Sequence, residues 1–418
     1  MTRGLRFANA AQVVTCAGPA RARRGGEMRD AQVRRGVGVA VRDGRIAAVD
    51  ADDVLAAAFP EGEVVDCGGG VLLPGLVDSH THAIFGRPRA AEQELRAAGV
   101  DYMAIAAQGG GIHASVRDLR GRSEDELVAL ALPRLRRLAA HGTTTVEVKS
   151  GYGLTLDDEL KSLRAIRRLA ALLPLRLVPT FLGAHEIPQE ARARPRGRAE
   201  CLASVVHEML PAVAATGLAD FADVFCEPGV FTVHEARQVL EAAHALGLGG
   251  KLHADELHGS GGAELAAAIG AVSADHLGAI SEAGIRALAA SPTVATLLPG
   301  TLLFLGRPQQ APARALLEGG AAVALATDFN PGTSPTPNFP LIVSLAVSQL
   351  RLSVSEAVLA ATVNGAAAVG LAHETGQLAP GFAADLALFD IEDVRELPYW
   401  YGDHRCRATW VRGVPCHA

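Results

Sequence analysis

Two histidines one residue apart, His80 and His82, close the stretch "GLVDSHTH" just after a proline and a run of apolar residues. In an extended segment their side chains share one face while Ser79 and Thr81 point away, so both rings can reach one metal ion. By itself the pair reads equally well as two ligands or as surface or capped histidines. His253 and Asp328, each at the end of a later apolar run, turn the reading toward a metal, because buried imidazoles and carboxylates without partners are costly. Three imidazoles and one carboxylate, with no thiolate, suit Zn or Fe and match Ca or Mg poorly. An open position on such an ion would hold a water whose pKa falls toward neutrality, and another group must then carry protons to a leaving nitrogen. Glu256, three residues after His253, competes for that role. His276 is a candidate to orient the water or stabilise developing negative charge; the plainer reading is a satisfied core histidine.

These residues stand at the ends of regularly spaced apolar runs. Eight can be drawn: "GLVDSH", "TTTVEVK", "RLVPTFLGAH", "ADVFCE", "GKLHADE", "AVSADHL", "TVATLLPG" and "AVALATDF". Each is followed, after a loop, by a pattern of period near 3.6, from "EDELVALALPRLRRLAAHG" to "FPLIVSLAVSQL". Thr155 with Asp158 reads as a helix cap, and Gly142, Gly217 and Gly247 stand where helices should stop. The grammar is α/β, a (β/α)8 TIM barrel whose strands are buried on both faces. The polar residues collect where a barrel puts its chemistry, at the C-terminal strand ends: Glu147 and Lys149, His185, Asp255 and Glu256, Asp275 and His276, Asp328 and Asn330. A doubly wound sheet, the main rival, would show a Gly-rich phosphate turn after an early strand, where this chain has histidines. Residues 83–122 are too long for a plain loop and should carry structure of their own.

The two ends of the chain differ from the middle. "GVGVAVRDGRIAAVD" has an Asp43-Gly44 turn between alternating apolar positions, and "GQLAPGFAADLALFD" and "RATWVRGVPC" repeat the strand-and-turn pattern. We expect a small β-sandwich domain built from both termini, residues 1–73 and 376–418, around a barrel of residues 74–375. "MTRGLRFANAAQVVTCAG" reads as a first strand, not a leader, since Asn9 and Gln12 interrupt it. Hydrophobic residues make up 49% of 418 and aromatics 4%, so the core must be Ala, Leu and Val. A formal charge of -6 provides no basic field for nucleic acid, and the Arg-rich stretches "PARARRGGEMR" and "ARARPRGRAE" read as solvated loops. Six cysteines without C-x-x-C spacing point to reduced thiols. No apolar run is long enough to span a membrane, so the expectation is a cytoplasmic protein.

The motifs "PGLVDSHTH", "HADE", "SADHL" and "ATDFNPG", in this order, resemble the amidohydrolase superfamily. "RAAEQELRAAGVDYMAIAAQGGGI", "GTTTVEVKSGYGL", "TFLGAHEIP", "DVFCEPGVFT", "KLHADELHGSGGAELAAAIGAVSADHL" and "ALATDFNPGTSP" resemble, more narrowly, the imidazolonepropionase family, over nearly the whole chain. The resemblance implies one divalent or trivalent metal, Zn or Fe, on His80, His82, His253 and Asp328. It also implies ring-opening hydrolysis of 4-imidazolone-5-propanoate to N-formimidoyl-L-glutamate in histidine degradation, by a homodimer. Implied substrate contacts are Arg89, Tyr152, His185, Glu256, Asn330, Gly332 and Thr333, the last standing where a Ser is expected. Asp328 or His276 would then help deprotonate the water, and Glu256 would serve the ring nitrogens. Arg89 suits a substrate with a carboxylate tail, although without the resemblance it would read as a surface Arg. Tyr152, between two glycines, can close over a planar ring or merely sit in a turn. Lys149 is alternatively a carbamylated bridge between two metals. The rival functions are another cyclic amidase or heterocycle aminohydrolase, and a catalytically inactive barrel.

Overall fold

The computed structural model describes residues 4–100 and 109–417; residues 101–108, the middle of the quoted "RAAEQELRAAGVDYMAIAAQGGGI" segment, lie outside the described residues. Eight strands form one sheet in sequential order: Leu76–Asp78, Thr143–Lys149, Arg176–Ala184, Phe221–Cys226, Gly249–Ala254, Ser273–His276, Val294–Leu297 and Ala322–Leu325. Every neighbouring pair is parallel. All seven residues of the second strand are buried, as a sheet covered on both faces requires. The first and last strands close the barrel through a Thr81–Phe329 bridge, with Asp328 N–H donating to the His80 carbonyl (3.1 Å) and His82 N–H to that of Phe329 (2.9 Å). Asp78 fastens the same seam: its carboxylate accepts Thr327 N–H (3.0 Å) and Oγ1–H (2.6 Å). His80, His82 and Asp328 are therefore carried on the seam itself.

The helices fall where the 3.6 period places them, and their apolar stripes make the outer core. Glu124–Ala140 buries Leu127, Ala131, Leu135 and Leu138, spaced four, four and three residues apart. Each buried Leu contributes about 1.5–3 kcal/mol. The Thr155 cap is present, with Asp158 N–H donating to Thr155 Oγ1 at 3.3 Å. Gly142, Gly217 and Gly247 all have positive φ (99°, 59° and 83°), the conformation that ends a helix. "AECLASVVHEMLPAVAATG" is not one uniform helix. It widens into a π turn at Val205–Met209, because Pro211 cannot donate a hydrogen bond and its ring crowds the carbonyl one turn back. After the last barrel strand and its helix Phe339–Ser348 come two more helices that the sequence pattern did not mark, Val354–Ala361 and Val363–Ala367. The long segment after His82 holds helices Ala90–Ala97 and Ile112–Arg120.

Two further sheets come from the chain ends. One has four strands in the order Arg45–Asp50, Gly38–Arg42, Leu5–Ala8, Glu63–Asp66; the other has six, running Val414–His417, Cys406–Val411, Leu386–Phe389, Val71–Pro74, Gln12–Val14, Val33–Arg34. Phe7 of one sheet meets Trp410 of the other edge-on at 4.9 Å, inside a core shared with Val39, Ile46, Leu72 and Leu388. Asp43 and Gly44 both have positive φ (51° and 73°), the two-residue turn that matches strand twist. The "PARARRGGEMR" loop departs from the solvated reading at Arg23, which is buried. Its Nη1 donates to the carbonyls of Pro19 and Arg21 and its Nη2 to that of Cys16, and its backbone N–H donates to Asn364 Oδ1 (2.7 Å), so protein carbonyls take the place of solvent. All six cysteines are free thiols. Among the described residues no helix is long and apolar enough to cross a membrane.

Candidate active site

At the C-terminal mouth of the barrel four side-chain atoms converge. His80 Nε2 and His82 Nε2 lie 3.7 and 3.5 Å from Asp328 Oδ1, and His82 Nε2 lies 3.4 Å from His253 Nε2. The ligand atoms of His80, His82 and His253 all fall within 4.8 Å of one another, as do those of His80, His276 and Asp328. All five residues are buried. Among the described residues His80 Nε2 has no hydrogen-bond partner, although its Nδ1 is bonded to Asp275, and an orphaned buried nitrogen costs about 1–3 kcal/mol. Thr301 Oγ1 donates to Asp328 Oδ2 (2.6 Å), which leaves Oδ1 for the histidines. Burial holds His80, His82 and His276 well below the usual imidazole range, so their rings are neutral and their lone pairs available. Neutral imidazoles converging on a carboxylate oxygen fit a divalent metal ion.

A carboxylate backs two of these rings. Asp275 Oδ2 is hydrogen-bonded to His80 Nδ1 (2.7 Å), the arrangement that fixes ring orientation and raises ring basicity, and Asp223 Oδ2 lies 2.9 Å from His253 Nδ1 as a charge contact. Lys149 Nζ joins them, 2.7 Å from Asp223, 2.6 Å from Glu147 and 3.9 Å from Asp275. Burial alone would strip its proton, but those three carboxylates hold its pKa above the ordinary lysine value. Asp223 is likewise drawn well below the carboxylate range: burial opposes this, and His253 and Lys149 outweigh it. Lys149 is thus an ion-paired ammonium in this geometry. A carbamate there would add negative charge beside three carboxylates. Asp255, His276 and Asp328 all have positive φ (50°, 80° and 52°), so backbone strain is concentrated at these strand ends.

The remaining sequence candidates gather around the same mouth. Glu256 Oε2 is 3.7 Å from His276 Nε2. Burial, then the charges of Asp328 and Glu227, push its pKa well above the ordinary carboxylate value and so favour the protonated form. Asp328 itself is raised by burial to about 6. His185 stacks on His82 at 5.0 Å, Tyr152 sits 5.4 Å from His185, and Phe225 closes this wall 6.2 Å from His185. Burial, then nearby His253, lowers the His185 pKa to about 3. Arg89 caps the Ala90–Ala97 helix and lays its guanidinium against Gly332, where any Cβ would collide with it. Asn330 is engaged in its own turn: Oδ1 accepts the N–H groups of Gly332 (2.8 Å) and Thr333 (2.7 Å), and Nδ2 donates to Thr333 Oγ1 (2.9 Å). Asn330 and Thr333 therefore shape the loop under Arg89.

Residues 71–415 match the Amidohydrolase family. An imidazolonepropionase of Symbiobacterium thermophilum is 50% identical over 95% of this chain and 93% of that relative. The chain belongs to the imidazolonepropionase family. A second imidazolonepropionase, of Bacillus velezensis, is 45% identical over 94% of this chain and 92% of its own. An adenosine deaminase from Xanthomonas campestris, solved with bound zinc, shares the fold at a TM-score of 0.72 and 19% identity, covering 99% of this chain and 93% of that one. Within this member of the imidazolonepropionase family, sequence reading passed over Asp223, Thr301, Phe225 and Glu159. Asp223 lies inside "ADVFCE", where an acid in the middle of an apolar strand was the available signal. Thr301 and Glu159 sit on helices and carry no such mark. Asp255, noted only as a strand-end acid, accepts N–H groups from Ser260, Gly261, Gly262 and Ala263 and so ties the loop bearing Glu256 to the next helix.

Proposed function

We propose that this chain hydrolyses the cyclic amide C–N bond of 4-imidazolone-5-propanoate to give N-formimidoyl-L-glutamate, the ring-opening step of histidine degradation. The carrying observation is that His80 Nε2 and His82 Nε2 lie 3.7 and 3.5 Å from Asp328 Oδ1, with His253 Nε2 3.4 Å from His82 Nε2, in a chain 50% identical to an imidazolonepropionase. His80, His82, His253 and Asp328 would hold one Zn or Fe ion. When bound, the metal supplies a Lewis acid that polarises a carbonyl and makes water nucleophilic near neutral pH. Arg89, seated against Gly332 with Nε 3.4 Å from Glu92 Oε2, clamps the propanoate. Tyr152 and His185 flank the planar ring, with Asn330, Gly332 and Thr333 shaping the floor beside Arg89. Asp328, raised to about 6, takes a proton at its carboxylate, with His276 stabilising the developing negative charge. Glu256, whose buried carboxyl favours the protonated form, delivers a proton to the leaving ring nitrogen.

The proposal extends to a cytoplasmic homodimer acting on a small molecule, with residues 1–73 and 376–418 forming the sandwich and 74–375 the barrel. The test is direct. Purified protein with measured Zn or Fe content should bleach the absorbance of imidazolone propanoate; no turnover with stoichiometric metal present would overturn the substrate. Sedimentation of the same sample reads the oligomer.

A further inference from the structure

The turn that carries Tyr152 is held from below by a carboxylate with no exposure. Glu159, in the first turn of the helix Leu156–Leu172, accepts Gly151 N–H at Oε2 (2.9 Å) and the N–H groups of Gly153 (2.9 Å) and Leu154 (2.8 Å) at Oε1. Gly151 and Leu154 both have positive φ (94° and 55°), so the turn lies in a conformation that such anchoring must maintain. The carbonyl of Gly151 in turn lies 2.9 Å from His185 Nδ1. A carbonyl oxygen can only accept, so Nδ1 carries the proton, and a neutral imidazole then has an unprotonated Nε2.

We propose that Glu159 is a positioning residue for recognition of the ring: by gripping Gly151, Gly153 and Leu154 it holds the Gly151 carbonyl where it locks His185 in the Nδ1–H tautomer, so that Nε2 accepts a hydrogen bond from a substrate N–H. The substrate side of this rests on the ring-opening reading above. The ligand class so selected is a planar heterocycle with an N–H on the edge facing His185. A ring N-methylated there would leave Nε2 unpaired and be rejected, because a buried polar group without its partner is costly.

The test begins with wild-type holoenzyme labelled at histidine nitrogens, His185 being assigned by its loss in His185→Gln. Its ring should show a protonated Nδ1 and an unprotonated Nε2; the opposite tautomer overturns the proposal. In Glu159→Gln the side-chain amide turns an N–H toward a backbone N–H. The expected result is mixed His185 tautomers and KM raised about tenfold, the order of one lost hydrogen bond, with kcat changed far less and bound metal unchanged. A merely structural role would lower Tm and leave KM and tautomer alone, which also overturns it. Should Glu159→Gln not fold, Glu159→Asp makes the same point: it keeps the charge, but one methylene shorter it cannot hold all three N–H groups, and mixed His185 tautomers with a raised KM are again expected. Failure of the wild type to open imidazolone propanoate would count against the substrate, and the tautomer would still be read.

Discussion

Lys149 shows how little a residue's chemistry follows from its type. In "TTTVEVK" it is an ordinary strand-end lysine and a candidate carbamate; folded, its ammonium lies 2.6–3.9 Å from Glu147, Asp223 and Asp275, two of which stand behind His253 and His80. Lys149→Met strands those carboxylates and should destabilise the protein by about 3–5 kcal/mol in a denaturant titration. Asp223→Asn or Asp275→Asn should instead weaken metal binding about 10- to 100-fold, read by competition with a chelator. At the other side of the site Arg89→Ala should raise KM for a carboxylate-bearing substrate about 10- to 100-fold, with a smaller change in kcat, the order expected for a lost charged hydrogen bond. An unchanged KM would move the carboxylate contact elsewhere.

Among the elements, the joint between barrel and sandwich carries a pH dependence. His141 ends the helix Glu124–Ala140 and meets His404 at 4.9 Å, whose Nε2–H donates to the Ala140 carbonyl (2.9 Å). Burial first, then the charges of His404 and His417, lower the His141 pKa from 6.5 to about 4. The unfolded chain therefore takes up this proton first as the solution is acidified. Stability is intact above pH 6.5 and falls as the pH drops toward 4. Because His141 is partly exposed, the loss is on the order of 1 kcal/mol. His141→Gln should flatten that part of the Tm-against-pH curve relative to wild type, and parallel curves would show that the joint does not titrate. The π turn at Val205–Met209 teaches a related lesson. Periodicity marks the whole helix, while one proline decides its local winding.

For the molecule as a whole, a metal that binds only the folded barrel mouth couples activity to stability. A chelator should abolish turnover and lower Tm together, and added Zn or Fe should restore both; an unchanged Tm with activity lost would place the ion outside the folded framework. The sequence alone determined the eight strand-and-helix units, the sandwich sheets at both ends and the strand-end positions of His80, His82, His253 and Asp328, because burial periodicity and strand position are local properties written residue by residue. It also brought out Glu256 and His276 as neighbours of those positions. What tertiary structure decided are the relations across the chain. Asp223 reaches His253, Thr301 orients Asp328, Arg89 rests on Gly332, and Glu159 reaches His185 through a glycine carbonyl. Each joins residues with no shared sequence period, and each exists because closing the barrel gathers strand ends, helix starts and loops from separate parts of the chain at one mouth, where a buried polar atom left unpaired is costly.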